Sequence, residues 1–489
     1  MTANPRVVIV GAGTSGLAAA WTLIRNGVTK VTVLEAQDRT GGRIHTIDFG
    51  SRKIDMGAQF IHGQGNNPVY KLARKYDLVA DYAGGISQMN LHFNFSSGQQ
   101  ACTKTTNAMV RSMLIRMLFK RALSTIGWKS DFSSFGDYAE DVFNSSIVNK
   151  SDTKEVASTK KAMLECFHNL QKAENTCDTW QQVSYSGFVD EAFFGGDEYG
   201  GLKRGYHSLL DVLLNDIPAD CIRLKQPVVK IHWNDTSATV STANDNFEAD
   251  HVIVTTSVGY LKKKHGDIFD PSIGERKIAA VNDIGYGTLG KIFLEFDEPF
   301  WEIRQKTVWV LCLLWRDEDD LLELLDVAED MEPWYRSIMC FMAVPHIPGT
   351  LLAMVGGRDG AMMESRPPEE VGRVCHQLLQ KFLGKADIPR PNNIKMSRWH
   401  DNEYFFGSYS FTKVPRGPEI YEELAEPLPS RQNPRLQFAG EATQREHHST
   451  VHGALISGER EAQRILAQYG IEVKDALWKK PSSWNCAVM

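Results

Sequence analysis

The stretch Val7-Val8-Ile9-Val10-Gly11-Ala12-Gly13-Thr14-Ser15-Gly16 decides the fold of this chain. Its first four residues are apolar and β-branched, which predicts a buried parallel strand. Gly11 permits a tight turn, Gly13 lets the backbone approach a pyrophosphate, and Gly16 lets the following helix pack on the strand. The phosphates would lie at the helix N-terminus, where free N–H groups and the helix dipole favour negative charge. The stretch therefore predicts a dinucleotide site.

A second apolar run, residues 31–34, ends in Glu35, which lies 19 residues after Gly16. That is the expected place for a carboxylate that binds a ribose hydroxyl, and it favours an unphosphorylated ribose. NAD and FAD both remain open at this point. A glycine-rich turn without a ligand is the alternative, but the order strand, glycines, helix and acid favours dinucleotide binding.

The next residues, Arg39-Thr40-Gly41-Gly42-Arg43, place a second glycine pair between arginines. This stretch resembles the GG motif of the FAD-dependent amine oxidases, which implies that the cofactor is FAD and that Arg43 contacts its pyrophosphate. Residues 55–63, D-x-G-A-x-x-x-H-G, continue the resemblance. Their small-residue turn can pass close to a flat ligand, and the residues predicted there to bind the cofactor are Gly57, Ala58 and Gln59.

His62 ends this motif. In the polyamine oxidase branch of the family, the matching histidine lies near the flavin and the substrate amine. The resemblance thus implies a catalytic and substrate-binding role for His62. A hydrogen-bonded structural histidine is the alternative.

The bulk composition is that of a globular protein with two or three domains. The chain has 489 residues, 42% hydrophobic and 23% charged, and a net charge of −6, which argues against nucleic acid as a main partner. The cysteines lack zinc-type spacing, so we expect reduced thiols and no metal. No run approaches ~18 apolar residues, and the first strand leaves no room for a signal peptide. We therefore expect a cytoplasmic protein without a transmembrane helix.

Lys291 begins a strand after the glycine turn 285–290, in apolar company. From spacing alone it is an ordinary surface lysine. The stretch nevertheless resembles the family segment whose lysine holds a water against the reactive nitrogen of the flavin. That resemblance implies a catalytic Lys291, and burial there would depress its pKa. The backbone contact of the family to adenine corresponds to Val228.

Two segments between residues 129 and 204 bear on the substrate. Residues 129–160 are polar and suggest a mobile connection. Acids follow among aromatic and glycine residues, and in the polyamine oxidases carboxylates from this region help to attract a polycation. We select Glu191 and Asp197 as candidate substrate ligands, with a solvated loop as the alternative.

Residues 399–410 contain the pattern W-x-x-x-x-Y-x-x-G-S-Y-S. Such aromatic residues can be plain core, but the pattern resembles the polyamine oxidases over its whole length. The resemblance implies that Trp399 and Tyr404 are catalytic, that Trp399 also contacts the flavin, and that Tyr409 lines the substrate tunnel. An amine between aromatic faces gains roughly 0.5–2 kcal/mol from cation–π attraction while it is charged.

The motifs F-A-G-E-A-T at 438–443 and S-T-V-H-G-A at 449–454 are close to diagnostic of the same family. The resemblance implies that Glu441 binds the ribityl–phosphate region and that the amide of Val451 meets the flavin ring. It also implies that Gly440 and Thr450 contact the cofactor. Ser449 and Thr450 are candidate substrate ligands, although plant-type enzymes carry an aromatic residue at the Thr450 position.

Together these motifs predict an α/β protein with a discontinuous Rossmann-type FAD-binding domain and an α+β substrate-binding domain containing a mixed sheet. The predicted FAD-binding domain comprises 1–90, 205–288 and 396–470. The substrate-binding domain comprises 91–204 and 289–395, and 471–489 form a tail. No cysteine lies between Trp399 and Phe411, so we expect FAD to be bound non-covalently.

The resemblance implies a polyamine oxidase. A carbon next to a secondary amine gives a hydride to FAD, the imine hydrolyses to an amine and an aldehyde, and O2 is reduced to hydrogen peroxide. Spermine, spermidine and acetylated polyamines remain open as substrates. The alternatives are an oxidase of monoamines or amino acids and a non-catalytic FAD-binding scaffold.

The last four residues, Cys486-Ala487-Val488-Met489, fit the farnesylation motif C-a-a-X. One lipid chain anchors a protein only weakly, so the alternative to a cytoplasmic protein is weak membrane association through Cys486. We expect a monomer.

Overall fold

The computed structural model describes residues 4–83, 89–111, 131–192, 194–196, 200–301, 307–316, 333–345 and 347–478. Within them, α-helices span Thr14–Arg25, Pro68–Lys75, Phe135–Val142, Lys154–Asn175, Tyr185–Asp190, His207–Leu214, Val258–Ile268, Glu275–Asp283, Gly357–Glu364, Pro368–Leu383, Ile420–Ala425 and Val451–Gln468. Short 3-10 or π turns occupy Phe143–Ile147, Trp180–Gln182, Ala219–Cys221, Trp334–Ser337 and Glu441–Thr443.

The strand predicted at residues 7–10 lies inside a six-stranded sheet, here called the parallel sheet. Its four residues are all buried, which is why the run is continuously apolar rather than alternating. Neighbouring strands run parallel except at one edge, where the outermost pair is antiparallel. In spatial order the strands are Leu428–Pro429, Pro434–Phe438, His251–Val254, Val7–Val10, Val31–Leu34 and Ile222–Arg223.

Two helices lie together beside this sheet and begin near its carboxyl edge. The helix Thr14–Arg25 follows the first strand, and the helix Val451–Gln468 packs against it. A Cβ on Gly458 would lie 2.0 Å from the carbonyl oxygen of Ser15, so glycine is required for this approach. The parallel sheet therefore brings two helix N-termini from opposite ends of the chain to one edge.

A second six-stranded sheet, here called the mixed sheet, has one parallel pair, Met89–Phe95 with Val308–Leu314, and otherwise antiparallel pairs. In spatial order its strands are Asn393–Met396, Leu289–Glu295, Thr350–Gly356, Cys340–Ala343, Val308–Leu314 and Met89–Phe95. The strand Leu289–Glu295 carries Lys291. Its five central residues are buried because helices and other segments cover both faces of the sheet.

Smaller sheets complete the described fold. Four strands pair as Asn246–Ala249, Ala238–Thr242, Val228–Trp233 and Phe269–Asp270. Two-stranded pairs join Thr46–Phe49 to Arg52–Asp55, Val79–Ala83 to Gly200–Leu202, and Gly285–Gly287 to Tyr409–Phe411. The predicted α/β class with a mixed sheet is confirmed. The domain boundaries stay a prediction.

The expectation of a mobile connection over 129–160 is wrong for its described part. Phe135–Val142 is a helix with a complete capping box, in which Ser134 and Asp137 bond reciprocally to backbone amides. The helix Lys154–Asn175 begins at the N-cap Thr153. Both helices bury aromatic or apolar residues in one core, so tertiary packing outweighs the polar composition.

Two further expectations concern membranes and thiols. Among the described residues, no helix is both long and apolar enough to cross a membrane. The cysteines in that part of the chain are free thiols, mostly buried. Cys486 lies outside the described residues.

Candidate active site

The glycine turn after the first strand has the predicted backbone form. Gly11 has φ +107°, a conformation that residues with a Cβ rarely adopt. A Cβ on Gly16 would lie 1.9 Å from the carbonyl oxygen of Gly11, so only glycine lets the helix start this close to the strand. Gly11 and Gly16 are thus required by the fold itself.

Gly13 differs from Gly11 and Gly16 because, among the described residues, no backbone strain or close contact requires a glycine there. Its backbone is extended with φ −75°, and a Cβ would meet no atom closer than the carbonyl oxygen of Gly41 at 4.0 Å. The helix that starts at Thr14 has no side-chain cap. Open space before uncapped amides is what a pyrophosphate needs.

A buried hydroxyl points to the same conclusion. The Oγ1 atom of Thr256 is buried and has no hydrogen-bond partner among the described residues, which is costly unless a ligand supplies one. Thr256 lines a narrow cavity with Arg43, Gly440 and Glu441. Gly440 has φ +137°, and no atom lies within 4 Å of a Cβ built there. The residues present therefore fit a dinucleotide.

Glu35 closes the adenine end of this site. Its side chain is buried, and its two carboxylate oxygens accept hydrogen bonds from the amides of Ala12 at 2.7 Å and Gln37 at 2.9 Å. Burial raises the pKa of the carboxyl, and these amides oppose the rise. Val228 is also buried and begins a strand two residues after Gln226, whose amide donates to the carbonyl oxygen of Glu35.

Arg43 and Glu441 form an ion pair across 398 residues of sequence, with Nη1 of the arginine 2.9 Å from Oε1 of the acid. The other oxygen of Glu441 accepts from Oγ of Ser410 at 2.6 Å and from the amide of Ser449 at 2.9 Å. Arg43 also donates to the carbonyl oxygen of Ser408. The two predicted cofactor ligands thus hold each other in place.

The start of the last helix has the expected cap. Thr450 is its N-cap, and its Oγ1 accepts from the amide of Gly453 at 3.0 Å and donates to the carbonyl oxygen of His447. Val451, the first helical residue, is half-buried. Ser449 has φ +64° and donates through Oγ to the carbonyl oxygen of Ser410. The hydroxyls of Ser449 and Thr450 therefore bond to the backbone.

Lys291 is 4% exposed, so it is not the ordinary surface lysine that spacing alone would indicate. Its Nζ donates to the carbonyl oxygens of Asp55 at 3.0 Å and Gly57 at 2.7 Å, and to Oε1 of Gln59 at 2.7 Å. Burial lowers the pKa of Lys291 to about 8, and the charge of Asp55 opposes the drop. A half-buried Ala58 completes this turn and donates to the carbonyl oxygen of Arg43.

Trp399 contacts the same turn. Its indole Nε1 donates to the carbonyl oxygen of Met56 at 3.1 Å, between the two carbonyl groups that Lys291 holds. The ring is 6% exposed and meets Phe405 edge to face at 5.5 Å between centroids. The structure thus brings Trp399 and Lys291 together at one segment; their roles in catalysis stay a prediction.

His62 lies three residues beyond Gln59. Its side chain has a solvent-accessible surface, but nearby protein atoms also desolvate its ring. Desolvation lowers its pKa, and the negative charge of Glu191 raises it. The structure therefore places His62 and half-buried Glu191 within electrostatic reach of each other. Asn67 fixes the backbone by donating to the carbonyl oxygen of His62 at 2.8 Å. Asp197 lies outside the described residues.

The two predicted tyrosines have different surroundings. The hydroxyl of Tyr409 donates to the carbonyl oxygen of Ala173 at 2.7 Å, and burial raises its pKa. Burial and the charges of Glu403 and Glu35 raise the pKa of Tyr404. Tyr404 therefore lies within reach of Glu35 at the predicted adenine end. Among the described contacts, none joins it to Lys291.

Sequence reasoning missed Ser397 and Glu364. Oγ of Ser397 accepts from the amide of Lys291 at 2.8 Å and donates to Oε1 of Glu364 at 2.6 Å. Both side chains are buried. No motif marks either residue, and only the paired strands and the helix Gly357–Glu364 bring them to the site.

Three features define a dinucleotide-dependent enzyme. They are an uncapped helix that follows an open glycine, a buried acid after the second strand, and a buried lysine that bonds a distant turn. The family model described as "Flavin containing amine oxidoreductase" matches residues 14–466. The chain belongs to this family and is an FAD-dependent amine oxidase. Among the described residues, no cluster of His, Cys, Asp and Glu could hold a metal ion.

The chain is similar to several curated proteins over nearly its whole length. It is 30% identical to "Peroxisomal N(1)-acetyl-spermine/spermidine oxidase" of Bos taurus, covering 98% of this chain and 96% of that protein. It is 30% identical to "Polyamine oxidase 1" of Oryza sativa subsp. japonica, covering 95% and 98%. Identity to "Lysine-specific histone demethylase 2" of Homo sapiens is 28%, but the alignment covers only 54% of that protein.

Solved structures support the fold. A double mutant of putrescine oxidase superposes with a TM-score of 0.70 at 20% identity, covering 95% of this chain and 99% of that one. A triple mutant of the same enzyme gives a TM-score of 0.69.

Proposed function

We propose that this amine oxidase acts on polyamines, at a carbon next to a secondary amine of spermine, spermidine or an acetylated derivative. The observation that carries the proposal is the grouping of buried Lys291, the indole of Trp399 and the His62–Glu191 pair around one turn, residues 55–62. Similarity to oxidases named for acetylpolyamines and polyamines supports the choice of substrate.

Bound FAD supplies the hydride acceptor, and its electrons pass on to O2. The amides that start at Thr14 would bind the pyrophosphate beside Gly13, and Glu35 would bind the adenosine ribose. Near the other end, the Arg43–Glu441 pair and Thr256 line the cavity. Glu35 and the Arg43–Glu441 pair are already held by hydrogen bonds, so these side chains need little rearrangement to bind the cofactor. We propose non-covalent binding, since no cysteine lies between Trp399 and Phe411.

His62 would take part in deprotonation of the substrate. Desolvation lowers the pKa of His62 and so favours the neutral ring, and it is the neutral ring that can accept a proton. Glu191 carries the opposite charge to a polycation and lies near enough to influence His62. The pair would attract the cation and supply the neutral amine from which a hydride can leave.

Lys291 would order a water molecule. An ammonium group has three donors, and all three meet protein oxygens. Two of those acceptors are backbone carbonyls, whereas the third is the flexible side chain of Gln59. A water that receives a hydrogen bond from Lys291 would therefore replace Gln59. Trp399 supplies a fixed apolar wall beside that water.

In the proposed reaction, the substrate loses a hydride and a proton to become an imine. Water adds to the imine carbon, and the C–N bond breaks to give an aldehyde and an amine. O2 takes up the two electrons and two protons to give hydrogen peroxide. We propose that a single chain completes the site, with the FAD-binding and substrate-binding domains divided as the sequence predicts. A cytoplasmic location is likewise proposed.

The test is a substrate panel with product identification. Purified protein is supplied with spermine, spermidine, N1-acetylspermine, a monoamine and an amino acid, and peroxide release is followed. We expect peroxide with at least one polyamine and at least tenfold less with the monoamine and the amino acid. Mass spectrometry of the aldehyde shows which side of the nitrogen is oxidised. Peroxide with the monoamine or amino acid alone would contradict the proposal.

A further inference from the structure

Glu364 is a buried carboxylate at the end of the helix Gly357–Glu364, 1% exposed. It accepts three hydrogen bonds. Oε1 accepts from Oγ of Ser397 at 2.6 Å, and Oε2 accepts from the amides of Trp399 at 2.7 Å and His400 at 2.8 Å. A buried carboxylate with three donors is fixed in one orientation, and removing it would leave these donors unpaired.

One arm of this network leads to Lys291. Oγ of Ser397, which donates to Glu364, accepts from the amide of Lys291 at 2.8 Å, and the amide of Ser397 donates back to the carbonyl oxygen of Lys291 at 3.0 Å. These bonds fix the backbone from which the lysine side chain extends. Glu364 is therefore one hydroxyl group away from the Lys291 backbone.

The other arm leads through Trp399 to the turn that Lys291 contacts. The backbone of Trp399 donates to Glu364, and its indole donates to the carbonyl oxygen of Met56. The carbonyl groups on either side, Asp55 and Gly57, accept from Nζ of Lys291. These hydrogen bonds and the 55–57 backbone thus form a closed ring. It runs from Glu364 through Ser397 and Lys291 to the turn, and back through Trp399.

We propose that Glu364 is a positioning residue for amine oxidation, which sets the distance between Lys291 and Trp399 by holding the backbones of both. Among the described hydrogen bonds, none joins Glu364 to the 55–57 turn or to His62. Its effect on Lys291 and Trp399 would pass through Ser397 and through the Trp399 backbone. The inference rests on the proposed function for the roles of Lys291 and Trp399.

The first test measures the rate constant of flavin reduction by a polyamine under anaerobic conditions, with the FAD-loaded protein. Glu364→Ala should lower it about 10- to 100-fold, the cost of a misplacement near 1 Å, without weakening substrate binding. Glu364→Gln keeps an oxygen for the amides of Trp399 and His400, and should restore most of the rate. Ser397→Ala removes only the hydroxyl that links Glu364 to Lys291. Its rate constant should lie between those of Glu364→Ala and Glu364→Gln.

A double-mutant cycle separates positioning from a general structural effect. Lys291→Met keeps the backbone bonds to Ser397 but leaves no ammonium group to position. In that background Glu364→Ala should therefore lower the rate by a much smaller factor than in the wild type. Equal factors in the two backgrounds would overturn the inference. Glu459→Gln is the matched control, because Glu459 is also a buried carboxylate that accepts two successive amides, those of Leu477 and Trp478. It should leave the rate unchanged.

Hydrogen exchange gives a readout that does not depend on activity. In Glu364→Ala, or in Glu364→Gln and Ser397→Ala if the alanine variant does not fold, the amides of 397–400 should exchange faster. The ring also predicts faster exchange in 55–59, which Glu364 does not touch. Faster exchange confined to 397–400 would overturn the inference. A wild-type flavin that no polyamine reduces would contradict the proposed function, and the exchange result would still decide the role of Glu364.

Discussion

Lys291 and Trp399 hold three successive carbonyl groups of one turn. Nζ of the lysine bonds the carbonyl oxygens of Asp55 and Gly57, and the indole of the tryptophan bonds that of Met56 between them. The two side chains come from different strands and loops, 108 residues apart in sequence. Their meeting at the turn before His62 is the basis for placing the chemistry there.

The first prediction compares two glycines of the dinucleotide turn. Gly13→Ala has space for its methyl group, so the FAD-free protein should keep its melting temperature. FAD should bind more weakly, because the methyl group occupies the space predicted for the pyrophosphate. Gly16→Ala would bring a Cβ to 1.9 Å from the Gly11 carbonyl oxygen, and should destabilise the fold itself. Melting temperatures of the FAD-free proteins and FAD titrations check both; unchanged FAD affinity in Gly13→Ala would contradict the site.

The second prediction concerns the hydroxyl of Thr256. Thr256→Val keeps the shape and removes a buried hydroxyl with no partner among the described residues, so the FAD-free protein should gain about 1 kcal/mol or more in stability. FAD affinity should fall up to about tenfold, because the variant loses the hydrogen bond that we expect between this hydroxyl and the cofactor. Thr22→Val is the control, since its buried hydroxyl also lacks a described partner but lies on the helix Thr14–Arg25. It should change stability without changing FAD affinity. A loss of affinity in both variants would argue against a specific contact from Thr256.

The third prediction concerns the kinetic role of Lys291. Lys291→Met keeps an unbranched side chain but removes the donors to the 55–59 turn. We expect the variant to retain FAD and to reduce or reoxidise its flavin about 100-fold more slowly, within the usual range for loss of a group that handles protons. Stopped-flow measurement of the two half-reactions shows which is affected. Two unchanged half-reactions would exclude this role for the lysine.

The fourth prediction uses the pKa of Lys291, about 8 against 10.5 for an ordinary lysine. Between these values the unfolded chain binds more protons at this position than the folded one, so the contribution of Lys291 to stability rises with pH from about 8 to 10.5. Lys291→Met lacks that rise, and its melting temperature relative to the wild type should fall across this window. The full difference is about 3 kcal/mol at most. A constant difference in melting temperature would show that the lysine titrates normally.

Local spacing is sufficient to predict the first two strands, the helix between them and the position of Glu35. The glycines, the apolar runs and Glu35 lie within one βαβ unit, so each position follows from the geometry of a strand and a helix. Arg43 and Glu441 were each predicted as cofactor ligands, but their ion pair joins distant parts of the chain and no local pattern shows it.

The missed features depend on tertiary packing. The helix Phe135–Val142 lies in a polar segment, and its stability comes from a capping box and from aromatic residues in a distant core. Glu364 has an ordinary helical context, and its function depends on what Ser397, Trp399 and Lys291 reach from other strands. Amino-acid composition alone could predict neither the helix Phe135–Val142 nor the contacts of Glu364.

The most direct test of the account is anaerobic mixing of the FAD-bound protein with polyamines, followed by the absorbance of the flavin. The account predicts that spermine, spermidine or an acetylated polyamine bleaches the flavin in a single turnover, and that Lys291→Met slows either this step or the recovery on adding O2. A yellow protein whose flavin none of these polyamines reduces would contradict it.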